Sequence, residues 1–390
     1  MRPGVDAFQI EEWEDLEIVE AVEERYAKEF GRGPLNLSHW DPSSEFVASV
    51  GPVPTMDLET DPVKYIYSYN LGSTTAVLEK LGFDPRVKSC LITPNGTTSM
   101  LCAVNWAAHH SESLSILCPF YFPVAHQARH RGLTVDKLFM QRRDGRYHLP
   151  EGDLGSLGRP LWLTNPVYCT GVYPGVDDRS RLRQQLEAGR MVIADECLAS
   201  SGHELGRHFG DYPNFIGLYS PHKTVCLNGM KFSAVVFDRR YEAYFHQWAD
   251  VLYGGLSAST TLAIRQYLSE DFELYGERFR AGTARTLAAV TGLGGQFPAV
   301  DLDHGSIGHF ATLYLPKLRD TLGESQDFLW DLARTSGAVI VSNARNHFDS
   351  SSGFSFRLNL AMGGSAFVGA VGRVLRFLSE MSTADPAKAP

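Results

Sequence analysis

Short apolar runs recur through the middle of this chain and alternate with longer helix-like stretches. The runs are Ser89–Thr93, Leu114–Cys118, Pro160–Thr164, Met191–Ala194, Phe215–Tyr219 and Phe232–Phe237, and the stretches between them include Thr98–His109 and Arg179–Ala188. Runs this short and this uniformly apolar suit strands buried on both faces, and the helices supply the crossovers that parallel neighbours need. The alternation predicts an α/β fold with a mostly parallel central sheet flanked by helices. Ligands of such sheets sit beyond the carboxyl ends of the strands. Gly96, Tyr121, Tyr168, Asp195 and Lys223 all fall just after a predicted strand, which marks them together as candidates for chemistry.

On either side of this region the pattern changes. Residues from about Ile10 to Phe30 read as an acidic amphipathic helix, followed by an extended arm, Leu35 to Pro42. A long helical region over Thr260–Thr291 leads out of the alternating part. Strands are then expected over His309–Leu315, Ala338–Ser342 and Phe354–Ala361, with helices near Gln326–Thr335 and Ala366–Met381. We expect a large domain over 46–275 and a smaller α+β domain over 276–390, which the arm and helix of 1–45 join.

The 390 residues carry 36 basic and 45 acidic side chains, a net charge of −9. That balance argues against nucleic acid or an anionic membrane as the main partner. No apolar run is long enough to span a bilayer, and the N-terminal residues carry no apolar signal core, so a cytoplasmic protein is expected. Cys90, Cys102, Cys118, Cys169, Cys197 and Cys226 form no C-x-x-C pair and read as buried, reduced thiols.

Lys223 stands out among the candidates. A lysine just past a buried strand can form a Schiff base with an aldehyde. Asp195, which follows the apolar run Met191–Ala194, can hold a pyridinium nitrogen protonated. Together they make the minimal site for pyridoxal 5'-phosphate (PLP), an electron sink for amino-acid carbanions. Arg357 is a lone cation in the alternating strand Phe354–Leu360, a costly placement unless it is paired.

The ordered set resembles the class I/II aminotransferases, a family of fold-type I PLP enzymes, from the arm at Leu35 to the last helix. Asn95-Gly96-Thr97-Thr98-Ser99 resembles the family's phosphate-binding turn, with Gly96, Thr97 and Thr98 as candidate contacts. Tyr121, ahead of Phe120 and Phe122, stands where an aromatic stacks on the pyridine ring. Asn165-Pro166-Val167-Tyr168-Cys169-Thr170-Gly171 resembles the family's Asn-Pro-x-Asn-Pro-Thr-Gly loop, but Tyr168 replaces the asparagine that donates to the phenolic oxygen. The tyrosine common three residues after the aspartate is Leu198 here, so Tyr168 is expected to take over that contact. Ser220 and Lys231 stand at the family's phosphate-binding serine and arginine, and lysine offers a point charge rather than a fork. His222 either touches phosphate or fills space, and Glu196 is expected to be structural.

The resemblance further implies that Arg357 grips the substrate α-carboxylate by a bidentate bond, with Asn165 and Trp40 also at the substrate. It implies a homodimer in which Tyr67 or Tyr69 reaches the neighbouring subunit's phosphate. The implied activity is transamination of an amino acid. The alternative is a β/γ-elimination, replacement or ring-forming reaction, for example on S-adenosylmethionine, in specialised biosynthesis. Ser220-Pro221-His222-Lys223 also matches the S-x-x-K of serine acylases, but its companion motifs are missing. His126 and His130 lack the acidic partner of a zinc helix, and no metal site is expected. A pure binding protein would have no use for the lysine–aspartate pair.

Overall fold

The computed structural model describes residues 11–54, 66–68, 71–152, 154, 158–303, 308–349 and 353–383. Helix α1 (Glu11–Phe30) comes first. The central sheet is built from β1 (Lys88–Thr93), β2 (Ser113–Cys118), β3 (Thr134–Phe139), β4 (Leu161–Thr164), β5 (Val192–Asp195), β6 (Phe215–Tyr219) and β7 (Ser233–Asp238). Their spatial order is β1-β7-β6-β5-β4-β2-β3. β7 runs antiparallel to β1 and β6, and the other pairings are parallel. Every residue of β1, β4, β5, β6 and β7 is buried, which is why the middles of these strands read as short apolar runs. The edge strand β3 is partly exposed and carries Thr134, Asp136 and Lys137. Its polar pattern hid it in the sequence and suits an edge, where charge discourages pairing with other chains.

Helices α2 (Gly96–His110) and α3 (Val176–Glu187) are among those that cover the sheet. The helical region expected over Thr260–Thr291 is two helices, α4 (Ala258–Leu268) and α5 (Glu270–Gly294). The break is Ser269, whose backbone is extended and whose hydroxyl accepts the Phe272 N–H at 3.3 Å. A serine that caps the next helix in this way competes with helix continuation. Phe272, Tyr275 and Phe279 of α5 pack beneath the central sheet, while Val290 enters a second core.

That second core surrounds an antiparallel sheet of β8 (Asp301–Leu302), β9 (Phe310–Leu315) and β10 (Phe354–Asn359). Helices α6 (Gln326–Ser336) and α7 (Gly364–Thr383) pack on it, and Val19, Val22 and Tyr26 of α1 belong to the same core. The strand expected over Ala338–Ser342 is shorter. Only Ala338–Val339 forms a ladder, parallel to Leu35–Asn36, because the chain turns at Ser342, whose hydroxyl accepts from Ala344 N at 3.2 Å.

The arm after Asn36 is sewn onto β10. Ser38 Oγ donates to Arg357 O at 2.7 Å and accepts from Val341 N at 2.9 Å. Asn359 donates through its backbone to Leu37 O and through its side chain to His39 O and Asp41 O. All six cysteines are buried and free. No described helix is long and apolar enough to cross a membrane.

Candidate active site

Strands β4, β5 and β6 lie side by side, with Thr164 paired to Asp195 and Asp195 to Leu218. Their carboxyl ends open into a cavity of about 270 Å³. Trp40, Tyr121, Thr164, Tyr168, Asp195 and Lys223 line it, together with Asp41, Cys197, Leu198, Asn228 and Lys231. Tyr121, Tyr168, Asp195, Lys223 and Lys231, singled out in the sequence as cofactor or catalytic candidates, thus share one space with Trp40, which lies far from them along the chain. Among the described residues, no group of three or more His, Cys, Asp and Glu side chains is arranged to hold a metal.

Lys223 sits in a 3-10 turn, Pro221–Val225, directly after β6, with its N–H bonded to Ser220 O at 2.9 Å. Its Nζ lies 5.9 Å from the ring centres of both Trp40 and Tyr121. Among the described residues no carboxylate comes within ion-pair distance of it. Asp195 is buried, and its carboxylate accepts the Cys197 N–H at 3.2 Å. Burial raises the Asp195 pKa, opposed by hydrogen bonds from Cys197 and by the charge of Lys223. A lysine with no ion-pair partner among the described residues and a buried acid therefore face one cavity.

The neighbouring acid has a different role. Glu196 accepts from Asn165 Nδ2 at 2.8 Å, Gly206 N at 3.1 Å, Tyr219 Oη at 2.5 Å and also from Leu205 N. Burial pushes it up to about 7, against the pull of these donors. It ties β4, β6 and the 203–206 loop together. Asn165, expected at the substrate, has its amide nitrogen engaged by Glu196 and by His203 O at 3.1 Å, and it is not among the residues that line the cavity.

Tyr168 is buried in the cavity wall, its ring 5.7 Å from that of Tyr121, and apolar Leu198 lies in the same wall. Phe120 instead stacks on His347 at 4.8 Å, away from the cavity lining. His222 is buried, bonded to Gln266 at 2.9 Å, and burial lowers it to about 4.

Gly96 opens α2 beside the lysine turn. A Cβ there would lie 3.1 Å from Ser220 Oγ, 3.2 Å from Cys197 Sγ and 3.7 Å from Lys223 Nζ. Asn95 caps the helix through Thr98 N at 3.0 Å and also accepts from Thr98 Oγ1 at 3.2 Å. Thr97 is exposed. Ser220 Oγ donates to Ser233 Oγ at 2.8 Å and approaches Cys197 Sγ at 3.2 Å. Ser233 connects through Ser99 to Thr93. Lys231 is half-buried in the cavity wall, its pKa lowered by burial and by Lys223. Tyr67 is half-buried and does not line the cavity, and Tyr69 lies outside the described residues.

Arg357, in the middle of β10 opposite Thr312, is 2% exposed. Its Nε donates to Ser38 O at 3.0 Å, and one Nη lies 3.7 Å from Cys169 Sγ. The Trp40 ring covers its guanidinium at 4.5 Å. No carboxylate pairs with it among the described residues, so a structural salt bridge does not account for its burial.

Sequence reading missed Thr164, Cys197, Asn228 and Asp41 in the cavity wall. Thr164 and Cys197 had a signal: one ends a buried strand and the other lies two residues past Asp195. Asn228 had none, because its partner Asp41, bonded at 3.1 Å, is 187 residues away.

No family model matches the sequence, and no curated protein matches it. Solved structures do match. YbdL of Escherichia coli, identified as a methionine aminotransferase, is 16% identical with a TM-score of 0.71, over 92% of this chain and 96% of that one. The aspartate aminotransferase of Thermotoga maritima is 14% identical with a TM-score of 0.73, over 96% and 98%. The PLP-dependent cyclase OrfR is 20% identical with a TM-score of 0.71, over 92% and 97%. The chain has the fold-type I architecture of these enzymes. At such identities the likeness is one of fold, and the chemistry has to be argued from the cavity.

Proposed function

We propose that the chain is a PLP-dependent enzyme that acts at the α-carbon of an amino acid, as an aminotransferase. The observation that carries this reading is the convergence of Lys223, free of any counter-ion among the described residues, with buried Asp195 at the ends of adjacent strands. The residues present suit the cofactor. Gly96 leaves room beside Ser220 that a methyl group would crowd. Thr164 Oγ1 is buried at the cavity wall with no hydrogen-bond partner among the described residues. When bound, PLP supplies a ring that takes up the negative charge developing at the α-carbon.

Each residue then has a task. Lys223 Nζ would hold the cofactor aldehyde carbon and would serve as the base that moves the α-proton. Asp195 would keep a proton on the ring nitrogen. Tyr121 would pack against the ring, and Tyr168 would donate to the phenolic oxygen, since Leu198 offers no donor. Gly96, Thr97, Thr98, Ser220 and Lys231 would receive the phosphate, joined by Tyr67 or Tyr69 from the other subunit of a homodimer. Arg357 receives the α-carboxylate, with Trp40 beside it.

A second reading, elimination, replacement or ring formation at the β or γ carbon, is favoured by Tyr168 and Leu198 in the cavity wall, where the resembling family has asparagine and tyrosine, and by the likeness to a PLP-dependent cyclase. Incubation of the PLP-loaded protein with single amino acids, without acceptor, separates the two. Transamination converts the cofactor stoichiometrically to pyridoxamine phosphate and releases the keto acid. Cofactor recovered unchanged while the amino acid is consumed would overturn transamination in favour of the second reading.

A further inference from the structure

We propose that Trp40 is a gate on Arg357: its indole caps the guanidinium, and the carboxylate of the substrate must turn it aside to pair with the arginine. The proposal rests on the reading of Arg357 as the carboxylate ligand. A buried guanidinium without an anion is costly. Ser38 O and Cys169 Sγ engage only part of its fork. The indole face at 4.5 Å supplies a cation–π contact in the place of an anion. Phe310 backs the indole edge-on at 5.0 Å and lies 5.4 Å from the guanidinium.

The arm leaves the side chain as the movable part. Leu37, Ser38, His39 and Asp41 are each bonded to Arg357 or Asn359, and Trp40 O accepts from Asn228 at 3.2 Å. The backbone is held from both sides, while the indole faces the cavity, which gives it space to turn. Trp40 lines that cavity and Arg357 does not. The same ring stands 5.9 Å from Lys223 Nζ. A substrate whose amine reaches Lys223 and whose carboxylate reaches Arg357 therefore runs along the indole. A carboxylate forms two charge-assisted hydrogen bonds with the fork and outcompetes the ring. An amine without a carboxylate has nothing to offer Arg357, and the cap stays in place.

The test uses fluorotryptophan-labelled, PLP-loaded protein, with the Trp40 fluorine resonance assigned through Trp40→Phe. Two ligands are titrated: α-aminoisobutyrate, which has no α-hydrogen to lose, and isopropylamine, the same skeleton without the carboxylate. Cofactor absorption reports binding of each. We expect α-aminoisobutyrate to move the Trp40 resonance in step with the absorption change, and isopropylamine to leave it in place. In Trp40→Leu the affinity for α-aminoisobutyrate should rise about three- to thirty-fold, the strength of one cation–π contact, with that for isopropylamine unchanged. A resonance unmoved at saturation, or an affinity for α-aminoisobutyrate that does not rise, overturns the gate while leaving the cofactor reading standing. Absorption that responds to neither ligand overturns the reading of Arg357 as the carboxylate ligand and the gate with it.

Discussion

Gly96 shows how much a single position can carry. Three side-chain atoms, on Ser220, Cys197 and Lys223, lie 3.1, 3.2 and 3.7 Å from where its side chain would begin. Alanine there would press on the hydroxyl and the thiol at distances tighter than ordinary contact, and both are buried with little freedom to yield. Overpacking of this kind costs about 1–3 kcal/mol. Gly96→Ala should therefore fold but bind PLP on the order of ten- to a hundred-fold more weakly, read by equilibrium dialysis of the cofactor. Unchanged affinity would show that this cradle is not where the cofactor sits. The glycine was legible in sequence as a turn before a helix, but its three neighbours were not. They arrive from β5 and β6, more than a hundred residues on.

At the scale of elements, legibility followed burial. Strands β1, β4, β5, β6 and β7 are sealed on both faces, so their middles are apolar, with polar residues only towards their ends, and they announce themselves. β3 has an exposed edge and polar residues, and periodicity passed it over. The break between α4 and α5 turns on one capping hydroxyl, a local competition that a long helical pattern conceals. Asn165 followed the same logic in the site. Its motif position was visible, but its amide is bonded to Glu196 through tertiary contacts that no local pattern encodes. The arm is the clearest case of long-range assembly: Ser38 and Arg357 are 319 residues apart, and the bonds between them place Trp40 over the guanidinium.

For the molecule as a whole, two buried acids set a dependence of stability on pH. Asp303 is raised by burial to about 7, although Arg142 Nε donates to it at 2.8 Å and Tyr147 Oη at 3.2 Å. Glu196 is likewise pushed up to about 7 by burial. Both hold a proton more tightly in the folded chain than unfolded. Their stabilisation is complete below the ordinary carboxylate range and is lost as pH rises through about 4 to about 7. The melting temperature of the wild type should carry a falling component across that window. Asp303→Asn, which cannot ionise, should flatten part of it, as followed by calorimetry in a pH series. An identical slope in the variant would mean that Asp303 is ionised in the folded protein throughout. Both acids join separate parts of the chain, Glu196 beneath the candidate active site and Asp303 beside the β8–β9 sheet, so this titration reports on the whole fold. The chemistry of that fold depends on one covalent link. The purified protein should be incubated with PLP, reduced with borohydride, digested and sequenced by mass spectrometry. The account predicts a phosphopyridoxyl group on Lys223 alone, lost in Lys223→Ala. A modified lysine elsewhere, or no stable adduct, would contradict it.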